Sequence, residues 1–391
     1  MNALTRTIVV LALAVAGYRG AAAADPTAPK DGTIAYALTN LHWALYQTDD
    51  GKSECPDGFN EGNREQFKKR FPETGAPRAL LDTQLRWEID SWYPTTKPDR
   101  FRFLEARGPT ALGLNLDGKV GPNDFTSLEG EAGIDNQLYR VLGCVKNYRG
   151  PDGAFQFFDD EAIGKEQYNR IIIELTGVDS LVNAADVQVT LYRGRDPLLF
   201  DATGKKVVPG GSQRIDTRWG ARYIRQFQGR ITDGILTTEP MDIVYPWGPF
   251  SLPTDEYMRA ARLRLKLTPT TAEGLMAGYS DVETWYQQMI RSYSTHHQNY
   301  GQTSAPSLYK ALRRLADAYP DPKTSANTAI SSALRTEFTQ VVIVPASRPQ
   351  AAALAARQPA EPYRGPPYPR LPSEEATAVP DGDAPAVNAT R

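Results

Sequence analysis

The sequence predicts a mainly β (α+β) protein, an antiparallel β-sandwich-like body with helical additions and a disordered C-terminal tail. Three observations carry that prediction. Short β-branched or alternating runs recur between Ile34 and Val344. Asp-Gly and Asn/Pro/Gly clusters separate them, and Asp-Gly takes the positive φ that tight primed hairpin turns require. No strand alternates with a helix in the βαβ manner of a parallel sheet, which leaves antiparallel layers.

The first residues carry export chemistry. A basic start ending at Arg6 leads into the apolar run Ile8 to Ala16, then Ala22-Ala23-Ala24 before Asp25. These are the parts of a cleavable signal peptide, placed at 1–24. The apolar run is shorter than the roughly 20 residues a spanning helix needs, and no later run reaches that length. No cysteine stands at the cleavage point to take a lipid. The expected location is the periplasm or the exterior. A formal charge of -2 gives no electrostatic footprint for nucleic acid or anionic lipid. The two cysteines, Cys55 and Cys144, are read as one disulfide, closing a loop whose removal from the unfolded ensemble stabilises by roughly 4 to 5 kcal/mol.

In chain order, Ile34, Tyr36 and Leu38 alternate as a strand does, while Leu41, Trp43 and Leu45 either continue it or restart it out of phase. Arg64 to Phe71 and Arg78 to Trp92 read as short helices, the second with Leu81, Leu85, Ile89 and Trp92 on one face. The acidic loop, 113–150, follows. Asn169 to Leu175 and Asp186 to Tyr192 are β-branched strands. Asp201 to Gly204 and Thr232 to Ile235 are hairpin signals. Arg262 to Leu267 is the cleanest alternation in the chain, with leucines toward a core and cations toward the other side, normally water.

A helical insert, 280–320, then interrupts the β pattern. Ser280-Asp281-Val282-Glu283 is a capping-box signature, and Val282, Tyr286, Met289 and Tyr293 recur on one face as far as His296. A second helix starts at Ser304-Ala305-Pro306 and carries Leu308, Leu312, Leu315 and Tyr319 toward Pro320. Thr336 to Val344 reads as the last strand. Residues 25–344 form a single β-rich domain, and 345–391, rich in Ala and Pro, lack the aliphatic side chains that would offset ordering entropy.

The acidic loop carries the strongest chemical signal. It gathers Asp117, Asp124, Glu129, Glu131 and Asp135 with Asn115 and Asn136 in a short glycine-punctuated span. Calcium takes six to eight hard oxygens from such residues, so Asn115, Asp117, Asp124, Asp135 and Asn136 are the candidate ligands. The loop lacks the first acidic ligand and the bidentate Glu of an EF-hand, so a site here is irregular. The competing reading is a solvated loop making Asx-turns.

Other signals are weaker. His296-His297, with His42 the only other histidine, point about 100° apart on a helix and cannot grip one ion as an i, i+4 pair does. Trp219, Tyr245 and Trp247 lie in loop-like sequence and are the candidate stacking surface for a sugar ring, against the ordinary expectation that large aromatics are core. Asp159-Asp160-Glu161, Asp233 and Asp242 are candidate glycosidase carboxylates only if geometry pairs them. No Gly-x-Ser-x-Gly elbow, His-Glu-x-x-His, phosphate loop or dinucleotide fingerprint occurs. The expectation is therefore an exported, calcium-braced binding or interaction protein whose ligand is a glycan or a partner protein. The alternatives are a secreted carbohydrate-active hydrolase and an accessory subunit of a periplasmic redox complex.

Overall fold

The computed structural model describes residues 28–60, 103–150, 163–164, 169–247, 255–286 and 305–356. The two helices expected between Arg64 and Trp92, the signal segment, Asp159-Asp160-Glu161 and His296-His297 lie outside them.

The structure is mostly antiparallel β, as the sequence predicts, but the sheet does not divide into the two layers of a sandwich. Eight strands follow the order β1 (Thr33–Trp43), β4 (Ile171–Thr176), β5 (Ala184–Arg193), β7 (Arg225–Thr232), β8 (Ile235–Thr238), β10 (Asp255–Leu267), β11 (Thr271–Asp281) and β13 (Asn327–Ile343). β13 then pairs back onto β1 from Ala35↔Val341 to Trp43↔Leu334, so the first and last strands close a barrel. Closure removes the free edges that an open sheet leaves exposed. Smaller strands sit beside it: β2 (Phe125–Thr126) with β3 (Ala132–Ile134), β6 (Gly211–Gln213) and β12 (Ala318–Pro320) on β13, and β9 (Met241–Pro246) on β10.

Bulges give the strands the coil that closure requires. In β1 the register shifts between Leu38 and Asn40. The inserted residue inverts the alternation, so Tyr36 and Leu38 on one side of it and Leu41 and Trp43 on the other all join the same core. The two phases in the sequence are thus one strand with a bulge. β10 has the same device between Arg259 and Arg262, with Ala260 at φ 47°. Its N–H donates to Asp242 Oδ1 at 2.9 Å, which holds the bulge.

The barrel interior is the main core. Ile171, Ile173 and Leu175 of β4, Val187, Val189 and Leu191 of β5, Leu263, Leu265 and Leu267 of β10, and Ile330, Leu334 and Phe338 of β13 meet there. Side chains of this size fill an eight-stranded barrel. The Thr232 to Ile235 hairpin is the expected two-residue turn, with Asp233 and Gly234 at φ 50° and 78°.

Helices and the disulfide layer cover the mouth where β1 and β11 end. α1 (Gln137–Leu142) and α2 (Ala305–Leu315) contribute Leu138, Tyr139, Leu308 and Leu312 to the core. Trp285, in the helical turn at residues 282–286, meets Trp43 edge to face at 6.0 Å. Cys55 and Cys144 form the expected disulfide, and both are buried in the same core.

Four expectations change. The N-cap of the 282–286 turn is Asp281, whose carboxylate accepts from Thr284 N at 3.0 Å, because Ser280 is still in β11 and shares a hydrogen bond with Ser332. α2 ends at Leu315, and Tyr319 belongs to β12, since Ala318 and Pro320 pair with Ala329 and Asn327. β13 begins at Asn327 rather than Thr336, its first half hidden by small residues such as Ser331, Ser332 and Ala333. Residues 345–356 are not part of a disordered tail. Arg348–Ala355 is a helix, α3, rich in alanine, the best helix former. It buries Ala351 against Ile172 and Tyr192, and Arg348 Nη2 donates to Glu174 Oε1 at 2.6 Å.

Candidate functional site

The alternation Arg262-Leu263-Arg264-Leu265-Lys266-Leu267 sends its leucines into the barrel and its cations onto the outer wall. That wall is covered in part by the acidic loop. Leu112, Leu114 and Leu116, spaced by two, lie on Ala44, Ala277 and Ala333. Small wall residues let the loop backbone approach closely. Arg262 Nη1 donates to Asn115 O at 3.1 Å, and Arg264 Nη1 to Glu131 Oε2 at 3.1 Å. The acidic residues therefore lie over the cationic rows of the wall.

Within the loop, each expected metal ligand also has a structural partner. Asn115 Oδ1 accepts from Gly118 N at 2.7 Å, and its Nδ2 donates to Lys119 O at 2.8 Å. Asp117 Oδ1 accepts from Lys119 N at 2.8 Å, and Asp124 Oδ2 from Gly121 N at 2.5 Å. The Asp117 bond is an Asx-turn and the others are local side-chain-to-backbone bonds of the same kind. Asn136 caps α1 by accepting from Tyr139 N at 3.2 Å, while its Nδ2 donates to Ala44 O and Leu112 O. Asp135 is buried, and its Oδ2 accepts from Leu116 N at 2.7 Å.

Electrostatically the acids feel one another. Burial pushes the Asp135 carboxyl up to about 6, with Asp124 and Asp117 adding repulsion and the Leu116 N–H opposing it. Burial likewise raises Asp317, which bonds Ser331 and is repelled by Asp124. Among the described residues, no group of three or more His, Cys, Asp or Glu is placed to hold a metal ion.

Beside the loop lies a groove of about 560 Å³. Its floor is the outer wall of β10, β11 and β13. Arg264 pairs with Leu275 and Leu275 with Arg335, forming one cross-strand row. Lys266 pairs with Glu273 and Glu273 with Glu337, forming the next. Ile235 and Leu112 close the sides, and Ser127, Glu129 and Glu131 form the roof. Gly274 is required in this floor, since a Cβ there would stand 2.1 Å from Arg264 O.

The roof acids and the β10 cations are the candidates the sequence displays, and Arg264 and Lys266 face outward as expected, whereas Glu273, Arg335 and Glu337 are not among them. Their signal was available in Leu334 to Phe338, where Arg335 and Glu337 stand two apart, and in Glu273, the one charge between Thr271 and Leu275. Their convergence depends on strand register, which the sequence does not display.

The three aromatics expected to form a stacking platform are buried in core clusters and lie outside the groove. Trp219, Tyr245 and Trp247 are 7%, 1% and 4% exposed. Trp219 takes the Arg193 guanidinium at 4.8 Å and the Tyr223 ring edge to face at 5.6 Å. Asp233 sits at a hairpin tip and Asp242 holds the β10 bulge, so each has a local structural role. Glu256 is fully buried opposite Tyr245, its carboxyl raised well above the usual range by burial and by Asp281 and Asp255.

Fold and site together define a disulfide-braced, closed antiparallel barrel with a charged groove on its outer wall. Comparison with protein-family models, characterised proteins and solved structures finds no match to this chain.

Proposed function

We propose that this chain is an exported interaction protein that holds a polypeptide partner in the groove between the acidic loop and the barrel wall. One observation carries the reading. Lys266, Glu273, Arg335, Glu337 and Glu129 share the groove, and among the described residues none of their side chains forms an ion pair or hydrogen bond. Lys266 and Glu273 are nevertheless direct cross-strand neighbours. Charges of both signs left open to an incoming partner favour complementary association.

A polypeptide fits better than a glycan, because the described lining has no aromatic ring on which a sugar would stack. It also has no histidine or cysteine to act as base or nucleophile, which favours binding over catalysis. Export is supported by the signal-like first 24 residues of the sequence and by the Cys55–Cys144 bond. Within this reading calcium is the ion the acidic loop takes up. The repulsion that Asp124 and Asp117 exert on the buried Asp135 supports it.

The test places a photo-cross-linking side chain at Ile235, in the groove, or at Gln188, on β5 away from it. The proteins are exposed to an extract of exported proteins. Adducts are expected from Ile235 alone, and they should disappear with Lys266→Glu or Arg335→Glu. Equal adducts from both positions, or adducts indifferent to charge reversal, would refute the reading.

A further inference from the structure

The groove floor is a grid whose spacing constrains what lies on it. Glu337 and Arg335 stand two residues apart on β13 and on the same face, roughly 6.6 Å along the strand. Glu273 is the cross-strand neighbour of Glu337, so two like charges face each other at roughly 5 Å between Cβ atoms, an arrangement that costs stability when uncompensated. Glu129 lines the same groove. The Glu273 and Glu337 corner is thus acidic, and one strand step away the floor turns basic at Arg335. On the other side of β11, Lys266 faces Glu273 while Leu275 separates Arg264 from Arg335, leaving an apolar centre between charged corners.

From this placement, and resting on the interaction reading above, we infer that the groove selects an extended segment bearing a basic side chain two residues from an acidic one. The basic side chain sits at Glu273 and Glu337 and the acidic one at Arg335. An extended chain repeats its side chains on one face at the same two-residue interval as the β13 floor, so the two patterns stay in step. An intervening side chain points away from the floor and is unselected.

The test is a peptide array in which one Lys or Arg and one Asp or Glu are set at every order and spacing on a Ser/Gly background. It is probed with the full-length, disulfide-intact protein. Peptides with the charges two apart should be retained about tenfold more strongly than those with the charges adjacent. Glu337→Lys should remove that preference, and Arg335→Glu should remove retention of the acidic partner. Glu273, Arg335 and Glu337 are all exposed, so these changes leave the core intact. Retention that is lost with Arg335→Glu but shows no spacing preference would overturn this inference and leave the interaction reading standing. Absence of any retention sensitive to the groove variants would overturn both.

Discussion

Arg264 Nη1 donates to Glu131 Oε2 at 3.1 Å, and this ion pair joins the floor of the groove to its roof across 133 residues of sequence. Both side chains are about half exposed, so the pair contributes under about 1 kcal/mol. Its effect is local. Arg264→Ala should leave the thermal midpoint nearly unchanged while amide exchange at Ser127 to Glu131 speeds up. Unchanged exchange in the roof would show that Leu112, Leu114 and Leu116 alone fix it.

Asp135 makes stability depend on pH in a definite direction. Its folded pKa rises from 3.8 to about 6, so the native state binds the proton more readily than the unfolded chain. The ionised group therefore opposes folding at pH 7. That opposition fades as pH falls through about 6 and is gone near the unfolded value. Asp135→Asn should flatten this part of the profile, which paired melts at pH 7 and pH 5 would read.

Under the proposed calcium reading, a bound cation would act on the same group from the other side, since it favours the ionised carboxylate. Calcium at a hundred times its dissociation constant should stabilise the protein by about 2.7 kcal/mol over EDTA at pH 7. Asp117→Ala and Asp135→Ala should abolish the gain. A melt indifferent to calcium would rule out the ion and leave the loop as the hydrogen-bonded roof of the groove.

Ala260 reverses the usual ranking of alanine and glycine in a strand. At φ 47° it occupies the left-handed region, which costs an L-residue roughly 1 kcal/mol and glycine almost nothing. Ala260→Gly should stabilise by about 0.5 kcal/mol or more in a denaturant titration. A loss would mean that the methyl group packs more favourably than its backbone is strained.

Gly274 has no such freedom. An added methyl would meet Arg264 O at 2.1 Å, and that atom is backbone. β10 and β11 would have to part where the groove floor lies. Gly274→Ala should cost about 2 kcal/mol or more, and wild-type stability would show that the two strands yield at that point.

What the sequence displays and what it hides divides along a physical line. Leu263, Leu265 and Leu267 and the Asp233-Gly234 turn are legible because alternation and positive φ are local properties. Barrel closure is not, because it rests on Ala35 meeting Val341, a contact between chain ends that no window contains. The bulge in β1 reads as two competing phases until the ladder shows a single strand. α3 is hard to read because its alanines are too small to mark a core face, although they are good helix formers. The groove is half legible: the charges of β10 and the loop are visible as runs, whereas Glu273, Arg335 and Glu337 converge only through register.

The most direct measurement is a charge-swap cycle on the best-retained peptide. Glu337→Lys on the protein and Lys→Glu on the peptide are made singly and together, and the four affinities are compared. Each single change should weaken binding and the double change should recover most of the loss, the non-additivity expected of groups in contact. Additive losses, with no recovery in the double variant, would contradict a cationic side chain seated at Glu337.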